Sequence, residues 1–303
     1  MQLHFRGLCA AFLLWLGLSP YAGATEIIRH YNQGYSPLLR LYLANVLKLT
    51  LDKTVAEYGP YELVYLEEFM SSNRLKLETE KGALLDLLFS PHWNGRYVDS
   101  SKVIPVEFPV LNGMLGLRDL ITTQQARAHI KEKGNPQNFG ELTAGLGEKW
   151  IDVDILTGNQ IPVVEAHNFG ALFPMLMHGR FDYIPLSTLE AHTTLANQRE
   201  IHPELTLSRD VSLFYALPFY LYVHAGKPQL AERLHKGVQI ALQDGSLQQL
   251  FDRHFHYVWT ELKVQKRKLI VLKNPLISDE RNEFYLQQLL SRYEEGFEVL
   301  HTQ

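Results

Sequence analysis

The stretch VSLFYALPFYLYVH, residues 211–224, is an almost unbroken apolar and aromatic run with Pro218 near its middle. Such a run reads as extended chain. Proline has no N–H to donate to a central strand, so the chain is expected to leave one sheet before Pro218 and enter another after it. Val103 to Thr122 has the same design around Asn112-Gly113. Two extended crossings split the chain into an outer pair of segments, 25–112 and 219–303, and an inner block, 113–218, of about 105 residues, the size of an ordinary domain. The pattern predicts an α/β protein of two lobes, each built on a mixed central sheet, joined by two hinge crossings.

The flanking segments support an α/β class, because strand-length apolar runs alternate with helical periodicity. Strands are expected over Glu26 to His30, Tyr61 to Leu66, Leu84 to Phe89, Phe181 to Pro185 and Lys268 to Leu272. Ser36-Pro37 reads as an N-cap with proline at the first helical position, followed by the stripe Leu39, Tyr42, Val46 and Leu49. Asn168 caps a helix that Gly179 ends. Pro228 opens a helix with Leu230, Leu234, Val238 and Leu242 on one face, and Ser246 with Gln249 forms a capping box for the next. Gly145-Leu146-Gly147 reads as a turn, since it lacks the third glycine of a dinucleotide fingerprint.

The chain has 303 residues, 29 basic against 33 acidic, and one cysteine. Residues 1–24 pair Arg6 with the apolar run Leu8 to Leu18 and a small-residue exit at Ala22-Gly23-Ala24, the pattern of a cleaved secretory signal peptide. The expected location is the periplasm. Cleavage removes Cys9, which excludes disulfides, thiolate metal sites and a cysteine nucleophile from the mature chain. The near-balanced charge gives no basic surface for nucleic acid. No HExxH, P-loop or GxSxG motif is present, so no enzyme activity, metal or cofactor is expected.

Three segments carry a family resemblance: Asn138-Phe139-Gly140-Glu141-Leu142; Ala171 to Leu176 followed by Gly179-Arg180-Phe181-Asp182-Tyr183; and Tyr220 to His224 with Lys227-Pro228 and Asp244-Gly245-Ser246. In this order they resemble the periplasmic type II solute-binding proteins, in particular the family 3 binding components of polar amino-acid ABC importers. The turn Lys149 to Leu156 and the strand Gly179 to Pro185 are similar to an uncharacterised subtype. The resemblance implies a monomeric protein that captures a small polar solute between closing lobes, for an ABC importer's membrane subunits. The alternative it implies is a sensory or interaction module of the same fold that signals to a membrane partner. It also implies that the family's ammonium-binding aspartate is replaced here by Ser187, with Glu190 a displaced substitute, and that Arg96 stands where a ligand carboxylate would be met.

Residues at strand ends and just before helices are the candidates for ligand contact. Trp150 offers a stacking surface, and Asp152 and Asp154 add negative charge at a helix start, which favours a cationic or neutral polar solute. Trp93 and Arg96 follow an apolar strand in a polar turn, and Tyr31 follows the first strand. His254-Phe255-His256 sits in a helical pattern that splays the two rings.

Overall fold

The computed structural model describes residues 25–68, 70–91, 99–264 and 266–301, with the side chains at 72, 73, 259, 261, 263 and 264 set aside. The leader expected over residues 1–24, and with it the cleavage site, lies outside the described residues. Among those described, twelve strands and ten α-helices form two five-stranded mixed sheets and one two-stranded pair.

Sheet I has the order β2-β1-β3-β10-β4, from β1 (Glu26–Tyr31), β2 (Tyr61–Leu66), β3 (Leu87–Pro91), β4 (Val103–Val106) and β10 (Phe219–His224). β1 runs parallel to β2 and β3, and β10 runs antiparallel between β3 and β4. Sheet II has the order β12-β11-β9-β5-β8, from β5 (Leu117–Thr123), β8 (Ile184–Ser187), β9 (Leu205–Phe214), β11 (Arg267–Val271) and β12 (Phe297–His301). β6 (Ala144–Gly147) and β7 (Val163–Ala166) make the parallel pair. The helices are α1 (Pro37–Asp52), α2 (Val55–Tyr58), α3 (Ser72–Lys81), α4 (Gln124–Lys133), α5 (Ile151–Gly158), α6 (Leu172–Met177), α7 (Thr188–Arg199), α8 (Pro228–Gln243), α9 (Ser246–Val264) and α10 (Asp279–Tyr293).

Both crossings are present. The chain passes from β4 to β5 through Asn112 (φ 49°) and Gly113 (φ 76°), and from β9 to β10 through Tyr215 to Pro218. Gly116 is required at the first of these, because a Cβ there would stand 2.0 Å from the Tyr215 carbonyl oxygen on the second. The two crossings touch backbone to backbone.

Local chemistry accounts for most helix starts. Ser36 Oγ accepts from Leu39 N–H with Pro37 at the first turn, Asn168 Oδ1 accepts from Ala171 N–H, and Pro228 opens α8. Against α1, α8 turns Leu230, Leu234, Val238 and Ala241 inward, while Leu242, expected inward, is exposed. The helices pack closely because Gly237 has no Cβ; one there would lie 2.0 Å from the Thr50 carbonyl oxygen.

Three expectations are corrected. The Ser246–Gln249 capping box does not form. Gly245, at φ 75°, turns the chain one residue earlier, Asp244 Oδ1 accepts the Ser246 N–H at 2.9 Å, and Ser246 Oγ is buried without a hydrogen-bond partner. Gly145-Leu146-Gly147 is not a turn but lies in strand β6. Its glycines admit aromatic rings, since a Cβ at Gly145 would meet Phe181 at 2.2 Å and one at Gly147 would meet Trp150 at 2.4 Å.

The third correction concerns the C-terminal segment, expected with residues 219–303 in the first lobe. After α9 the chain joins sheet II: β11 pairs parallel with β9, Lys268 against Val211, and β12 pairs parallel with β11. Arg267 fixes this placement. Its Nη1 lies 2.7 Å from Asp119 Oδ1 on β5, where both side chains are buried and neither charge tolerates loss of the other.

Candidate functional site: the seam between the sheets

The two lobes meet where the first turn of α7 reaches the N-terminus of α1. The first turn of α7 is pinned to sheet I's side at two points. Glu190 Oε1 accepts the Ser36 N–H at 2.7 Å, and the Tyr257 hydroxyl of α9 donates to the Leu189 carbonyl at 3.1 Å. Beside Ser36, the Tyr35 ring stands edge-on to Phe219 at 5.7 Å, and Phe219 lies parallel to Phe89 at 6.1 Å. The wall on the sheet I side is therefore aromatic.

On the other side lies a buried polar cluster. Arg118, on β5, places Nη2 2.7 Å from Asp152 Oδ1 in the first turn of α5. The Tyr215 hydroxyl donates to the same oxygen at 2.5 Å, and the Arg118 guanidinium sits 4.9 Å from the Tyr215 ring centroid. Burial works against the Arg118 charge, but Asp152, Tyr215 and Glu190 outweigh it and hold the guanidinium protonated. Arg118 Nε is buried without a hydrogen-bond partner. Burial raises the Glu190 carboxyl above its ordinary range, opposed by the Ser36 N–H and by Arg118. One cation and two carboxyl groups share the seam, so with both ionised its formal charge is −1.

Asp152 is thus neither a helix cap nor a free carboxylate. Trp150 occupies the N-cap position of α5 without a side-chain cap and stacks on Phe169 at 6.2 Å. Ser187 is fully buried, with its Oγ donating to the Met114 carbonyl at 3.1 Å and capping α7 at Leu189 N–H. Tyr31 is buried among Met70, Leu85 and Leu88. Trp93 and Arg96 lie outside the described residues. The structure therefore brings Asp152 to the seam, places Ser187 behind it, and gives Tyr31 to the core of sheet I. Of the histidine pair, His254 bonds Asn45 and the Leu250 carbonyl while His256 is exposed.

Sequence reading missed Arg118 and Tyr215. Arg118-Asp119 was the available signal, two opposite charges side by side in the apolar strand Leu117 to Ile121. On opposite faces of β5 they serve different clusters. Asp119 also accepts from Ser212 Oγ at 3.2 Å and faces His192 Nε2 at 3.4 Å. Burial would raise this carboxyl, but His192, Arg267 and Ser212 together hold it below the usual range.

No protein-family model and no curated protein sequence matches the chain. Solved structures do. A double mutant of the Bordetella pertussis BvgS VFT2 domain superposes with a TM-score of 0.55 at 17% identity, over 76% of this chain and 92% of that one. The amino-acid ABC transporter substrate-binding protein AbpA of Streptococcus pneumoniae, solved with L-arginine, gives 0.50 at 14%, over 77% and 95%. A mutant of ArgBP from T. maritima gives 0.50 at 13%, over 76% and 95%. The fold is that of the two-lobed type II periplasmic binding proteins. The seam at Ser36, Arg118, Asp152 and Glu190 lies between the two sheets of this fold.

Proposed function

We propose that this chain is a periplasmic solute-binding protein that closes its two lobes on a small polar solute carrying a positive charge, and delivers it to the membrane subunits of an ABC importer. The observation that carries this reading is the charge of the cleft. Arg118 is already neutralised by Asp152, which leaves Glu190 as the unbalanced group, bonded to a backbone N–H across the seam. A cation arriving there gains a charge-assisted partner and brings the Glu190 carboxyl back towards its ordinary range. Trp150, Trp93 and Arg96 are proposed as further contacts, with the two tryptophans stacking on the solute and Arg96 meeting a carboxylate if the solute has one. The arginine complex of AbpA supports the same class of ligand.

A second reading is favoured by the direct Glu190–Ser36 hydrogen bond, which joins the lobes through the protein's own groups. A lobe pair closed by its own side chains suits a sensory or interaction module whose output is the closed shape. Thermal-shift screening of the mature protein against arginine, lysine, polyamines, neutral amino acids and dicarboxylic acids tests the choice, because a ligand that binds only the folded state raises the melting temperature. A cationic solute giving the largest shift supports the importer reading. A response confined to acidic solutes overturns it.

A further inference from the structure

The unit formed by β11, α10 and β12 is held to sheet II but does not stay with it. Its strands extend that sheet in parallel register, and the buried Arg267–Asp119 pair locks it there. From this footing α10 reaches over the crossings to the other lobe. Arg281 Nη2 lies 3.1 Å from Glu107 Oε2, just beyond β4, and bonds the hydroxyl of Tyr220 on β10. The Tyr285 and Tyr220 hydroxyls are 3.2 Å apart. Near the end of α10, Arg292 Nη2 donates to Gln248 on α9 at 2.6 Å.

The crossings themselves are also engaged. Asn274, which is 1% exposed, donates from Nδ2 to the Ala216 carbonyl at 2.8 Å, and the Asn112 amide donates to Gln248 at 3.4 Å. A Cβ on Gly113 would contact the Tyr285 carbonyl oxygen at 3.4 Å. Hinge closure needs a few residues free to change φ and ψ. Here the hinge residues are backed by a helix anchored on both sides.

We propose that this C-terminal unit is a brace across the hinge, which ties the two lobes together through α10 and fixes the angle between them. The brace and the Glu190–Ser36 contact join the lobes through separate residues. Rotation of the lobes apart at the cleft breaks the latter and requires α10 to slide over Tyr220 and Glu107. The proposal concerns the lobe angle and does not depend on the identity of the solute.

The distance between spin labels on the two lobes tests it. The mature chain has no cysteine, so Glu62→Cys on β2 and Glu200→Cys after α7, both exposed in the parent, give one label per lobe. Double electron–electron resonance on ligand-free protein should give one narrow distance distribution. Arg281→Ala combined with Tyr285→Phe should broaden it and shift it to longer distance, while Arg281→Lys should restore the narrow form. Glu107→Gln, at a half-exposed position, provides a milder variant if the double variant fails to fold. A broad distribution in the parent, or an unchanged narrow one in a folded brace variant, overturns the proposal.

Discussion

Glu190 Oε1 accepts the backbone N–H of Ser36 at 2.7 Å, joining the first turn of α7 to the N-terminus of α1 across the cleft. The contact links two lobes through one carboxyl group whose charge burial disfavours. Glu190→Gln keeps the acceptor and removes the charge. Affinity for a cationic solute should fall by roughly tenfold or more, the worth of one charge-assisted hydrogen bond, while the melting temperature stays near the parent value. Calorimetric titration with the best solute from the thermal-shift screen measures both the loss and its enthalpy.

Asp152→Asn is expected to act on stability before it acts on binding. Asp152 is the counter-charge of Arg118, and both side chains are nearly buried. Breaking such a pair from one side costs about 3–5 kcal/mol, because the remaining charge is stranded. Urea denaturation should show this loss, and the double variant Arg118→Met with Asp152→Leu should recover most of it. A single variant as stable as the parent would mean that Asp152 is free to serve a ligand.

Trp150→Ala should cost about 3 kcal/mol of stability, the low end for truncating a large aromatic, since the ring is only half-buried. The ring stacks on Phe169 and fills the space over Gly147. Gly147→Ala should mimic part of the effect by forcing the ring out. Melting temperatures of the two variants without solute check both expectations.

His30 predicts an acid-side loss of stability. Its ring is 1% exposed between Tyr65 and Phe89, and burial lowers its pKa from 6.5 to about 4 against a weaker opposing effect of the Leu87 backbone. Below pH 6.5 the unfolded chain takes up a proton that the folded chain refuses. Stability therefore falls as the pH drops from 6.5 towards 4, by about 3 kcal/mol in total. Denaturation curves at intervals between pH 7 and 4 should show the slope, and His30→Phe should flatten it.

How much of this was legible depended on distance along the chain. The helix starts at Ser36, Asn168 and Pro228 were readable because a cap and its helix are neighbours in sequence. The crossing at Pro218 was readable because a missing N–H is a property of one residue. Arg118 was not, because its role is set by Tyr215 and Asp152, which are themselves 63 positions apart. Leu242 was expected inward, but with α8 pressed against α1 at Gly237 it is Ala241 that is buried and Leu242 that is exposed. β11 was visible as a strand over Lys268 to Leu272 but does not by itself say which sheet edge it will extend, and β12, Phe297–His301, was not expected.

The lobes are interleaved along the chain, and this constrains the order in which the protein can be made. Sheet I needs β1 and β10, and sheet II needs β5 and β12, so neither sheet is encoded by a continuous piece of chain. During synthesis β5 and β9 are out long before Arg267, and Asp119 must wait 148 positions for the guanidinium that allows it to be buried. Until β11 arrives, β9 has an open edge ready to pair with other chains. Long-range pairing of this kind folds slowly. β12 in turn covers β11, so a chain lacking it would present β11 as a second open edge on which other chains could pair.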